Sequence, residues 1–158
     1  MQFGFSEKYR VNTDTTETFD TSFLENDIQC FADVLGKEKD FRLESEFHIK
    51  HISRSFEDFL YRLVTDLINK SVYSFQASRL RVCIRQNMKC LIVLYGDNGT
   101  GFNDGIDSVD LPDKQVKLNL ILSRIKEYRG IYSIRSRSGE GMIMEMVFDN
   151  VEVKKEKI

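Results

Sequence analysis

Apolar positions recur at helical spacing over residues 22–35, where Phe23, Leu24, Ile28, Phe31, Ala32 and Leu35 share a side and Gly36 supplies a stop. The period then drops to two. Phe41, Leu43, Ser45 and Phe47 alternate with Arg42, Glu44, Glu46 and His48, the pattern of a strand with one buried face. The longest helical pattern covers 55–75, with Phe56, Phe59, Leu60, Leu63, Val64, Leu67, Ile68, Ser71 and Phe75 on its apolar face. Ser55 followed by Asp58 predicts a capping box at its start. Residues 79–85 and 89–95 predict two strands of an antiparallel hairpin turning at Gln86-Asn87-Met88. Apolar periodicity is then lost over 97–113, a glycine-bearing stretch whose length marks a functional or mobile loop. A helix over 114–128 stops at Arg129-Gly130, and a last hairpin pairs 131–137 with 142–148 around Ser138-Gly139-Glu140-Gly141. Helices and strands in this order predict an α/β fold, a two-layer α/β sandwich with helices on one face of the sheet.

Length and composition narrow the picture. A chain of 158 residues suits one domain, which we place at 21–150, after a flexible polar segment at 1–20 and before a charged tail at 151–158. The net charge of -2 gives no electrostatic reason to expect nucleic acid or an acidic membrane as partner. No apolar run approaches the roughly 18 residues of a membrane span, and residues 1–10 lack a signal-peptide layout, so a cytoplasmic location is expected. Cys30, Cys83 and Cys90 are odd in number and form no CxxC pair, which argues against a disulfide framework or a zinc site. Cys83 and Cys90 lie in apolar runs and are read as buried, inert thiols.

The candidate chemistry gathers where Asp97-Asn98-Gly99-Thr100-Gly101-Phe102 follows an apolar strand. A carboxylate at a strand end can accept from an exocyclic amine, and glycines let the backbone pass close to a flat base. Upstream stand Asp66-Leu67-Ile68-Asn69-Lys70 at a helix end and the link Gln76-Ala77-Ser78-Arg79. Downstream, 118–130 and Ser138-Gly139-Glu140-Gly141 complete the order. Over roughly 23–148 the chain resembles the ATP-binding domain of bacterial sensor histidine kinases, in the subclass related to nitrate and desaturase sensors. That resemblance implies the Bergerat (GHKL) fold, a sandwich with a mixed sheet and ATP between its helices and a flexible lid. It assigns adenine recognition to Asp97, with Gly99 and Gly101 shaping the floor.

The departures from the family pattern are as specific as the matches. Aligned on Gln76-Ala77-Ser78, the family's acid falls at Asp66 and its magnesium-binding asparagine at Lys70. Lysine offers donors and a positive charge, so it cannot coordinate magnesium. Asn69 comes one position early, about 100° round the helix. The second glycine box falls at Gln115-Val116-Lys117, where side chains crowd any approach to phosphates. Asp104, Asp107, Asp110 and Asp113 occupy the lid and are read as facing water, and Met142 replaces the usual threonine of the last hairpin. His48 and His51 read as a surface pair, so the chain has no phosphoacceptor histidine of its own.

The resemblance therefore implies a histidine-kinase-type ATP-binding domain of two-component-like signalling, degenerate, with weak or magnesium-independent nucleotide binding. Its expected ligands are ATP or ADP, held by Asp97, Gly99, Gly101, Lys70 and Asn69, with Asp66 in the catalytic acid's place. The expected protein partner is a response regulator or kinase. Two other readings stand beside it: the active kinase core of a longer sensor, and a stand-alone anti-sigma-factor-type serine kinase.

Overall fold

The computed structural model describes residues 23–101 and 112–155, without the side chains of 112–117. The segment 1–20, residues 156–158, Asp104, Asp107 and Asp110 lie outside the described residues, as do the side chains of Asp113, Gln115, Val116 and Lys117.

The chain runs α1 (Leu24–Leu35), β1 (Arg42–His48), α2 (Arg54–Asn69), a π-helical turn (Lys70–Ser74), β2 (Arg79–Gln86) and β3 (Cys90–Asp97). It continues through α3 (Pro112–Glu127), β4 (Ile131–Arg137), β5 (Gly141–Asp149) and α4 (Asn150–Val153). The strands form one sheet in the order β1-β2-β3-β5-β4. The β1–β2 pair is parallel, because α2 carries the chain back across the sheet between them, and every other neighbouring pair is antiparallel. The result is the sheet with helices on one face that the pattern predicted, and it is mixed, as the resemblance implied. Among the described residues, no helix is long and apolar enough to cross a membrane.

Alternation decides which strand residues enter the core. Leu80, Val82 and Ile84 of β2, Leu91, Val93 and Tyr95 of β3, and Met142, Met144, Met146 and Phe148 of β5 are buried in one cluster with α2. From α2, Phe56, Leu60, Leu63, Val64, Leu67 and Ile68 fill the other side. Each buried large aliphatic side chain contributes about 1.5–3 kcal/mol relative to exposure. Phe59 stacks on Tyr128 of the α3 end at 3.9 Å, while Phe56 meets Phe148 edge-on at 5.2 Å. This aromatic knot joins α2, α3 and β5 at one end of the helical layer.

Four expectations change. The cap of α2 is Ser53 rather than Ser55: its hydroxyl accepts from the Phe56 amide at 3.1 Å, because Ser53 has the extended backbone that an N-cap requires. The α-helix ends at Asn69, and the remaining turn to Ser74 widens into π geometry. The segment assigned to a charged tail at 151–158 begins inside a helix, since α4 spans Asn150–Val153 and Val153 is fully buried. Gln86 explains this anchoring. It accepts from the Lys50 and His51 amides and donates to His51 O and Asn150 Oδ1, tying the β1–α2 connection to α4. Finally, Cys83 is buried as expected but Cys90 is only half-buried. His51 is exposed, and His48 Nε2 pairs with Glu46 at 3.1 Å.

Candidate functional site

The end of α2 and the π turn face α3 across a cleft of about 330 Å³. Asp66 and Asn69 enter it from the last turn of α2, Lys70, Tyr73 and Ser74 from the π turn, and Leu120, Ile121 and Arg124 from α3. A π turn carries an extra residue per turn and is frequent at functional positions. Here Asn69, the last residue of the α-helix, and Lys70, the first of the π turn, both line one cleft. Lys70 is 3% exposed, and its ammonium lies 5.7 Å from the centre of the Phe75 ring, in cation–π range. Across the cleft, Arg124 Nη1 donates to Asp66 Oδ2 at 2.5 Å. The lining thus holds two cations and one carboxylate, and it can receive an anion.

Behind the cleft, the strand-end box is wired to the helix end through one hydroxyl. Ser71, next to Lys70, donates to Asp97 Oδ2 at 2.6 Å. Tyr95 Oη lies 2.7 Å from Ser71 Oγ and 3.1 Å from Leu67 O, and its single proton is shared between these two acceptors. With the serine proton committed to Asp97, the tyrosine is the donor between them, so the order is Tyr95 to Ser71 to Asp97. Gly99 N donates to Asp97 Oδ1 at 2.9 Å, and the Met142 amide is a further donor to the carboxylate. Burial raises the Asp97 carboxyl above its ordinary value, while the Ser71, Gly99 and Met142 hydrogen bonds oppose that rise. Burial also pushes the Tyr95 hydroxyl far up, with the Asp97 charge adding to the effect, so Tyr95 remains a neutral donor.

The glycines serve close backbone approaches. A Cβ on Gly99 would stand 2.6 Å from Phe75 O, and the neighbouring Thr100 amide donates to that same carbonyl at 2.7 Å. Gly101, at φ +64°, lies against Arg137 O of the last hairpin, and Gly141, at φ +91°, lies against Asp97 O. Asn98 accepts from the Ser78 and Arg79 amides, which locks the Gln76-Ala77-Ser78 link onto the strand end.

Asp66, Asn69 and Lys70 therefore share one cleft, and Asp97, Gly99 and Gly101 form an adjoining buried cluster joined to it at Ser71. Sequence reasoning missed Ser71, Tyr95 and Arg124. The first two had a signal: Tyr95 and Asp97 alternate onto one strand face, and Ser71 adjoins Lys70. Arg124 had a weaker one, a lone cation one turn beyond Leu120 and Ile121 on an otherwise apolar side of its helix.

No protein-family model matches this chain, and no curated protein matches it by sequence. Among solved structures, it is similar to the histidine kinase domain of the blue-light activated histidine kinase of Erythrobacter litoralis EL346. The TM-score is 0.59 at 11% identity, covering 85% of this chain and 64% of that one. This chain thus spans just under two thirds of the length of that structure. At such low identity the likeness bears on architecture: the chain has a histidine-kinase-like α/β fold.

Proposed function

We propose that the domain is a degenerate GHKL-type nucleotide-binding module that holds ATP or ADP without magnesium and signals through a protein partner. The observation that carries this reading is Lys70, buried in the lining of a cleft that it shares with Asp66, Asn69 and Arg124. In the resemblance, its position belongs to the asparagine that coordinates magnesium. An ammonium is a compact charge with three donors, so it meets a phosphate directly and repels a divalent cation. Arg124, positioned by Asp66, is a second donor group for a polyphosphate.

The adenine would sit toward Asp97. A carboxylate has about four lone-pair sites, and three donors already occupy it, which leaves room for one amine. Because Asp97 is only 1% exposed, the base must displace covering groups to reach it. That requirement predicts weak binding, in keeping with a module that senses nucleotide rather than turning it over.

The test is calorimetric titration with ATP and with ADP, each in magnesium and in EDTA. Wild type should bind both equally well in either buffer, and binding should weaken as salt rises. Lys70→Asn, which restores an oxygen ligand, should make ATP binding magnesium-dependent. A wild-type protein that binds ATP far better with magnesium would refute the replacement of metal by lysine. Absence of nucleotide binding in both proteins would remove the nucleotide from the reading altogether.

A further inference from the structure

We infer that one end of the sheet face turned away from the helices is a docking surface for an acidic segment of a partner protein, gripped between two banks of arginines. This inference is independent of the nucleotide site.

Alternation places Arg42 of β1, Arg79 and Arg81 of β2, and Arg135 and Arg137 of β4 on that face, opposite the core-facing positions Leu43, Leu80, Ile134 and Ser136. The strand register sets them in rows. Arg42 pairs with Arg79 in one row. In the next, Arg81 pairs with Gly96, Gly96 with Ile143, and Ile143 with Arg135. Three strand spacings separate Arg81 from Arg135, about 14 Å between backbones. Gly96 and Ile143 are all that stands between them in that row. A helix is about 10–12 Å across with its side chains, so an acidic helix laid over Gly96 and Ile143 presents carboxylates to both banks.

Charge favours the same occupant. Among the described strand and hairpin residues at this end of the face, five guanidinium groups meet two carboxylates: Glu44, in register with Arg81, and Glu140, 4.0 Å from Arg137. Five less two leaves a surplus of three positive charges on a chain whose net charge is -2. Farther along the face the charge is mixed, with Glu46 and Glu145 flanking Cys83 and Leu94 and Arg85 3.5 Å from Glu46. All five cations are arginine, whose planar fork matches a carboxylate through paired hydrogen bonds. Nucleic acid fits less well. Among the described strand residues, no Phe, Tyr or Trp lies on this face, and His48 stands at its far end, so the arginine end offers no platform for stacking bases.

The probe is a peptide of about twelve glutamates, long enough to cross the sheet as a helix or strand. It is titrated into the isotopically labelled chain at low ionic strength and followed by amide chemical shifts. Shifts should concentrate on β2 and β4, and affinity should fall about tenfold or more as salt approaches physiological strength. Arg79→Glu with Arg135→Glu should weaken binding at least about tenfold, and the milder Arg79→Gln with Arg135→Gln, which guards against a folding defect, by less. Lys154→Glu with Lys155→Glu, at the end of the chain's last helix, should change little. Three results overturn the inference: no peptide binding, shifts confined to the Lys70 and Arg124 cleft, or tighter binding of an oligothymidylate of equal charge.

Discussion

The two halves of the candidate site are built on different physical terms. At the strand end, Asp97, Gly99, Gly101 and Gly141 are held by short backbone contacts and three hydrogen bonds to one carboxylate, and almost nothing there is exposed. At the helix end, Asp66, Asn69, Lys70 and Arg124 line an open cleft and meet mainly through one ion pair. Substitution in the first half meets backbone that cannot move, whereas the second half changes charge without changing the fold. The strand-end box is where the sequence keeps the pattern it resembles, and the helix-end box is where it departs from that pattern.

The largest effect that tests this contrast is steric. Gly141→Ala requires a Cβ against Asp97 O at φ +91°, so it should cost about 3 kcal/mol or more in urea unfolding. Asn69→Ala in the cleft should stay within about 0.5 kcal/mol of wild type. Equal costs for the two would break the comparison.

Asp97→Asn sharpens it chemically. The amide cannot accept as the carboxylate does, so nucleotide affinity should fall by about 1–3 kcal/mol in calorimetry. Its pH signature has a definite sign. The folded pKa of Asp97 lies above the ordinary 3.8, so its contribution to stability is fully present below that value and is lost as pH rises through the raised one. Wild type should therefore lose stability relative to Asp97→Asn between pH values near 4 and neutrality, and a difference that stayed flat would show that burial does not govern this carboxyl.

The smallest effect belongs to the ion pair. Asp66 and Arg124 are both partly exposed, so Asp66→Ala should change stability by less than about 1 kcal/mol. The same substitution releases Arg124 to a polyphosphate and should tighten nucleotide binding modestly, measured at low salt. Weaker binding would instead make Asp66 a ligand-contacting group.

Hydrophobic period by itself determined most of the architecture. The alternation of residues 41–48 and the broad apolar stripe of the long helix each dictate a buried face, and burial of those faces leaves little freedom in layer order. The glycine box was legible for a related reason: close backbone approach needs residues without a Cβ, and that requirement is written directly in residue type. What tertiary structure alone decided is which groups meet. Ser53 rather than Ser55 caps the long helix because the chain turns extended there, and Val153 is buried because Gln86, far away in sequence, holds Asn150. The Ser71 bridge to Asp97 and the reach of Arg124 to Asp66 depend on packing between segments 26 and 58 residues apart. Periodicity within a segment carries no record of such partners, since it reports which side is buried and not what lies across from it.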